Sequence, residues 1–117
     1  MKKLIITGFV GKDAEVLFNQ KTGESFARFS VGIAVGTKQE PKTDWVEVSC
    51  NDKLLDVARN FVKKGGRVLV EGFPKTQAYI SKEGKAVSVL MVHAHILELL
   101  GRASDEEHPV DTVEQNN

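Results

Sequence analysis

The chain has 117 residues, one cysteine and a formal net charge of zero, a length that supports one hydrophobic core and not two. The lone cysteine, Cys50, excludes an internal disulfide framework and suits a reducing compartment, and no apolar run reaches the roughly 20 residues of a membrane-spanning helix. The zero charge conceals an asymmetry. Residues 1–100 carry 15 Lys and Arg against 11 Asp and Glu, whereas residues 101–117 carry one Arg against five acids. A mildly basic body with an acidic, aromatic-free tail lets the tail compete with a polyanion for the body, although a merely solvated terminus accounts for the same residues.

In chain order, "KKLIITGFV" reads as a first strand from Lys2 to Val10. Its apolar run is too short for a signal peptide, so a soluble, cytoplasmic protein is expected. The G-x-x-G-K-D run that follows (Gly8, Gly11, Lys12, Asp13) is two residues short of a phosphate-binding loop. It also places Asp13 where that loop needs a magnesium-binding hydroxyl, so the glycines are expected to mark a bulge or a sharp bend. "EVLF" and "SFARFSVGIAV" flank a turn at Asn19–Glu24 and form a hairpin. In the second arm Phe29, Val31, Ile33 and Val35 alternate with Arg28, Ser30, Gly32 and Ala34. After a loop around Pro41, "DWVEVSCN" alternates again, with Val46, Val48 and Cys50 on the apolar side and Trp45, Glu47 and Ser49 on the polar side.

One segment has helical spacing. Asn51 or Asp52 is its N-cap, Leu54, Leu55, Val57, Ala58, Phe61 and Val62 its apolar face, and Gly65 its stop, with lysines in the last turn. Two long strands follow, separated by the turn "SKEG". An all-β chain with one inserted helix and a long hairpin fits a small barrel, the five-stranded Greek-key OB-fold.

No convergent acid, base and nucleophile set stands out, so no enzyme, no catalytic residue and no cofactor is expected. His93 and His95 share a strand face, but a zinc site needs more ligands than these two and the distant Cys50 supply, and no metal is expected. Single-stranded nucleic acid fits better, because it asks for flat π-faces and spaced cations on an open sheet. Phe73, Lys75, Gln77 and Tyr79 lie on one side of the sixth segment if that strand is regular, with Pro74 as a place where register could shift. Trp45 is expected to be exposed, because its i+2 neighbour is Glu47 and Ser49 follows. Lys3 and Arg28 point away from the apolar sets of their strands.

"KKLIITGFVGKDAEV", "TDWVEV", "KLLDVARNFVKKGGRV" and "VEGFPKTQAY" follow one another as in the bacterial single-stranded DNA-binding proteins, and residues 2–101 of the chain resemble a divergent member of that family. The resemblance implies an OB-fold over residues 1–101, an acidic disordered tail over 102–117, and a homotetramer, or alternatively a dimer. It also implies non-sequence-specific, non-enzymatic binding of single-stranded DNA in replication, recombination or repair, in the nucleoid-associated cytoplasm. The family's stacking aromatics fall on Trp45 and Tyr79, with Phe73 a further platform. Its basic positions fall on Lys3, Lys53 and Lys75, and Arg28 completes the cations. Other positions depart from the family: the loop aromatic is replaced around Thr37, Asn51 stands where a phenylalanine precedes the helix, and Glu47 and Gln77 stand where cations are expected. The terminal "VEQNN" lacks the Ile-Pro-Phe tip that recruits replication and repair enzymes. Two alternatives remain open: a dimer resembling primosomal replication protein N, and an adaptor of the same fold that acts through protein partners.

Overall fold

The computed structural model describes residues 1–101 and the backbone of residues 111–114. The described elements are β1 (Leu4–Val10), β2 (Glu15–Phe18), β3 (Ser25–Ala34), β4 (Thr43–Cys50), α1 (Asp52–Phe61), β5 (Arg67–Ile80), β6 (Ala86–Gly101) and β7 (Asp111–Glu114). Five of the strands close a ring in the order β1–β5–β6–β4–β3, with β1 returning to pair with β3. All ring pairings are antiparallel except β4 with β6. This is the expected five-stranded Greek-key barrel with one helix and a long hairpin, and β2 and β7 extend it at β3 and β6.

Period-two alternation fills the barrel. Ala27, Phe29 and Val31 of β3, Val46, Val48 and Cys50 of β4, and Val68 and Val70 of β5 point inward and are buried, together with Leu54 and Ala58 of the helix. Val35 departs from the expected apolar face: it lies beyond β3 and is 51% exposed. Burial pushes the Cys50 thiol up to about 12, because an interior site disfavours the thiolate.

The glycine-flanked stretch after β1 is a crossing point. β1 pairs with β5 over Leu4–Phe9 and with β3 at Phe9 and Val10, and a Cβ at Gly8 would run into the backbone carbonyl of Gly32. Asp13 has a structural task there. Its Oδ1 accepts a 2.8 Å hydrogen bond from the Lys64 N–H, while Val62 O accepts from Ala14 N–H and Val10 O from Gly65 N–H.

These bonds explain why α1 is shorter than its sequence suggests. The helix ends at Phe61, and Val62 turns into extended backbone and is buried. Lys63 and Lys64 therefore lie beyond the helix rather than in its last turn. Phe61, expected on the packed face, is 63% exposed. At the other end Asn51 is the N-cap, without a side-chain capping bond, and Asp52 takes a left-handed conformation at φ 53°.

Pro74 leaves the hairpin register undisturbed. The pairs run unbroken from Phe73↔His93 to Ile80↔Ala86, and the irregularities fall earlier, at Arg67/Val68 and Glu71/Gly72. The expected disordered tail lies mostly outside the described residues. Within it, Asp111–Glu114 form β7, antiparallel to Ile96–Leu99 of β6.

Candidate nucleic-acid interface

Residues that pair across a sheet project to the same face, so the register fixes what the outside of the barrel presents. Arg28 of β3 pairs with Ser49 of β4, Ser49 with His93 of β6, and His93 with Phe73 of β5. One row along, Ser30, Glu47, Met91 and Lys75 follow the same path. In the next row Gly32 pairs with Trp45. Trp45, Arg28, Lys75 and Phe73 therefore share one continuous outer surface. Tyr79 lies farther along the β5 arm, opposite Val87 and 51% exposed.

Trp45 is 55% exposed, as its alternation with Glu47 and Ser49 predicts. Its six-membered ring rests on two glycines: a Cβ at Gly11 would lie 2.8 Å from Cζ3, and one at Gly32 would lie 3.1 Å from both Cζ3 and Cη2. The absence of side chains at both positions lets the far edge of the indole lie against the backbone while more than half of the residue stays exposed. Trp45 also borders an open cleft whose far wall includes Thr76 and Ser88 at the base of the long hairpin.

The cations divide into two groups. Arg28 Nε lies 3.1 Å from Glu47 Oε2, and the Ser30 hydroxyl donates to Glu47 Oε1 at 2.7 Å. The acid found at an expected cation position thus anchors the neighbouring arginine. Lys3 lies 3.6 Å from Glu71 and sits beside β1 and β5. Lys53 and Lys75 are exposed and, among the described residues, have no acidic partner within ion-pair distance. Lys53 belongs to the first turn of α1 and not to the sheet surface.

Three further aromatics reach the surface. Phe18 at the end of β2 is 63% exposed. Phe9 is 48% exposed on the outside of β1, with the Arg67 guanidinium 5.8 Å from its ring centre. Phe26 is half-buried on β3, with the same parity as Arg28. Phe73 is 50% exposed, with Lys2 Nζ 4.9 Å from its ring centre.

His93 Nδ1 is 3.2 Å from Ser49 Oγ, and the His93 and His95 rings meet edge to face at 5.8 Å. Burial, followed by the neighbouring His95, holds His93 below its ordinary value, with Asp52 acting weakly the other way. Among the described residues no three His, Cys, Asp or Glu side chains form a metal-binding group.

A closed five-stranded barrel with an aromatic and basic outer sheet defines an OB-fold protein. Residues 1–100 match the model of the single-strand binding protein family, and the chain belongs to that family. A single-stranded DNA-binding protein of Neisseria meningitidis serogroup A is 30% identical over 107 residues, which are 86% of this chain and 60% of that protein. The chain thus spans 60% of the length of that relative. Single-stranded DNA-binding protein 3 of Clostridium acetobutylicum is 25% identical over all of this chain and 83% of its own length. Among solved structures, the Plasmodium falciparum SSB complex with ssDNA superposes with a TM-score of 0.64 at 18% identity, covering 99% of this chain and 96% of that one, a likeness of fold.

Proposed function

We propose that this protein binds single-stranded DNA without sequence preference and without catalysis, on the outer surface of β3 and β4 and along the β5–β6 hairpin. The observation that carries the reading is the Trp45 indole, 55% exposed and lodged against Gly11 and Gly32, because an exposed flat ring accepts any base. Trp45 and Tyr79 serve as stacking platforms and Phe73 as a third, with Lys53 and Lys75 meeting phosphates directly. Arg28 and Lys3 contribute only as their pairs with Glu47 and Glu71 open. The salt dependence of log affinity therefore lies between a slope of about −1.4 for two neutralised phosphates and about −3 for four.

Family membership supports a role in replication, recombination or repair, in the cytoplasm and as a homo-oligomer, either a tetramer or a dimer. The surface suited to self-association is the outside of β1 and β5, where Ile5 and Phe9 are 57% and 48% exposed.

The test is a titration of oligo-dT into the protein at low and moderate salt, followed by the fluorescence of Trp45, the sole tryptophan. Quenching that weakens with salt is expected. An unchanged signal at low salt would overturn the reading in favour of an adaptor that docks proteins.

A further inference from the structure

Beside Trp45, the same outer surface carries a second feature that its stacking role leaves unused. An open cleft of about 280 Å³ lies where the β2–β3 turn meets β4 and β6. That volume lies just below the range of drug-sized clefts, about 300–1,000 Å³, and suits a single flat ring. Phe26 and Met91 supply its apolar walls, Ser49, His93 and Asn51 its polar lining, and Glu24 stands on the turn side. Among the described residues no lysine or arginine lines it, and Glu24 is the one Asp or Glu in its lining. A phosphate has no cation to meet there, so the chemistry favours a neutral, flat ligand that offers a π-face and hydrogen-bonding edges.

We infer that the cleft beside Phe26 holds one nucleobase of the bound strand, stacked on Phe26 and facing Ser49 and His93 with its edge. The inference rests on the single-stranded DNA reading above and deepens it. The placement is continuous with that surface: Ser49 lies two positions past Glu47 on β4, Met91 pairs with both Glu47 and Lys75, and Arg28 pairs with Ser49. A strand that stacks one base on Trp45 and another in the cleft runs along the outside of β4, with Arg28 and Lys75 flanking its backbone. Ser49 and His93 are already hydrogen-bonded to each other at 3.2 Å. The edge that meets a base is therefore held in place before binding, which limits the ordering cost.

The experiment measures the affinity of Phe26→Leu and Phe26→Tyr for fluorescein-labelled oligo-dT by anisotropy at two salt concentrations, alongside the parent protein. Leucine keeps most of the volume and removes the π-face, whereas tyrosine keeps the ring. A stacked base is worth about 1–3 kcal/mol, or about 5- to 150-fold in affinity. Phe26→Leu is therefore expected to weaken binding at least fivefold with an unchanged salt slope, and Phe26→Tyr to stay within about twofold of the parent. A parent that binds together with a Phe26→Leu variant that binds equally well would overturn the cleft while leaving the Trp45 reading intact. A parent that does not bind oligo-dT at low salt would overturn both. If thermal melting shows Phe26→Leu to be unfolded, photo-crosslinking of the parent to a 5-iodouracil oligonucleotide decides. Adducts on Phe26, Met91 or His93 support the cleft, and adducts confined to Trp45 and Tyr79 remove it.

Discussion

The outside of β3–β4 and the outside of β1–β5 both carry large exposed aromatic side chains, but the rings differ in what already covers them. On β4 the indole of Trp45 lies against backbone glycines and, among the described residues, has no cation over its ring. Around β1 and β5, Arg67 sits over Phe9 and Lys2 over Phe73, each within the ~6 Å reach of a cation–π contact. A ring with a free face accepts a base, whereas a ring under a cation is already partnered and gives up that contact to bind anything else. Under the function proposed above, the first surface takes bases and the second self-associates; they meet at Gly32, which pairs with both Phe9 and Trp45, and at Phe73, which pairs with His93.

The strongest test of this division is Trp45→Ala. Loss of the open platform is expected to weaken oligo-dT binding by about 5- to 150-fold, the range for one stacked base. The melting temperature should move little, because the side chain is more than half exposed. Isothermal calorimetry for affinity and thermal melting for stability read the two separately, and a variant that binds like the parent removes Trp45 from the interface.

The matching test on the other surface is Phe9→Asp. Burying a phenylalanine contributes about 1.5–3 kcal/mol, so a charge there is expected to weaken self-association tenfold or more in sedimentation equilibrium. Affinity for an oligonucleotide short enough to occupy one protomer should change less than twofold. A large loss of that affinity with assembly unchanged would reverse the roles assigned to the two surfaces.

A smaller effect is expected at Glu47→Gln. The substitution removes the acid that holds Arg28 at 3.1 Å and frees one guanidinium for phosphate. The salt slope should steepen by about 0.7. The gain in affinity at low salt should stay within about fivefold, since an exposed ion pair is worth about 1 kcal/mol or less. An unchanged slope would show that Arg28 faces no phosphate.

Much of this division is legible in the sequence. Alternation with Glu47 and Ser49 placed Trp45 outside, and period-two runs gave the barrel strands and the long hairpin. The helix was read too long because Lys63, Lys64 and Gly65 resemble a last turn and a stop. Backbone bonds to Val10 and Ala14 and the Asp13 carboxylate, some 50 residues away in sequence, extract Val62 instead. No local pattern carries such a contact. Phe26 and Phe9 were passed over because an isolated phenylalanine usually fills a core, although parity alone aligns Phe26 with Arg28 and Phe9 with Lys3. The Arg28–Glu47 pair depends on the β3–β4 register, which the eight-residue connection between the strands does not fix from sequence.

The smallest predicted effect lies on the seam between the two regions, at His93, which pairs with Ser49 on one side and Phe73 on the other. Burial and the adjacent His95 hold its imidazole below the ordinary value of 6.5, against a weaker opposing pull from Asp52. In the unfolded chain the same imidazole takes up its proton near pH 6.5. Between the two values the unfolded state binds more protons, so this contribution to stability is present above pH 6.5 and lost as the pH falls through the folded-state value. Carboxylates also lose stability in acid, so the diagnostic quantity is a difference. The gap in urea-unfolding free energy between the parent and His93→Gln is expected to be constant above pH 7 and to shift in favour of the variant between pH 6.5 and 5. Curves that stay parallel over that range would show that His93 titrates alike in both states and that the seam is open to water.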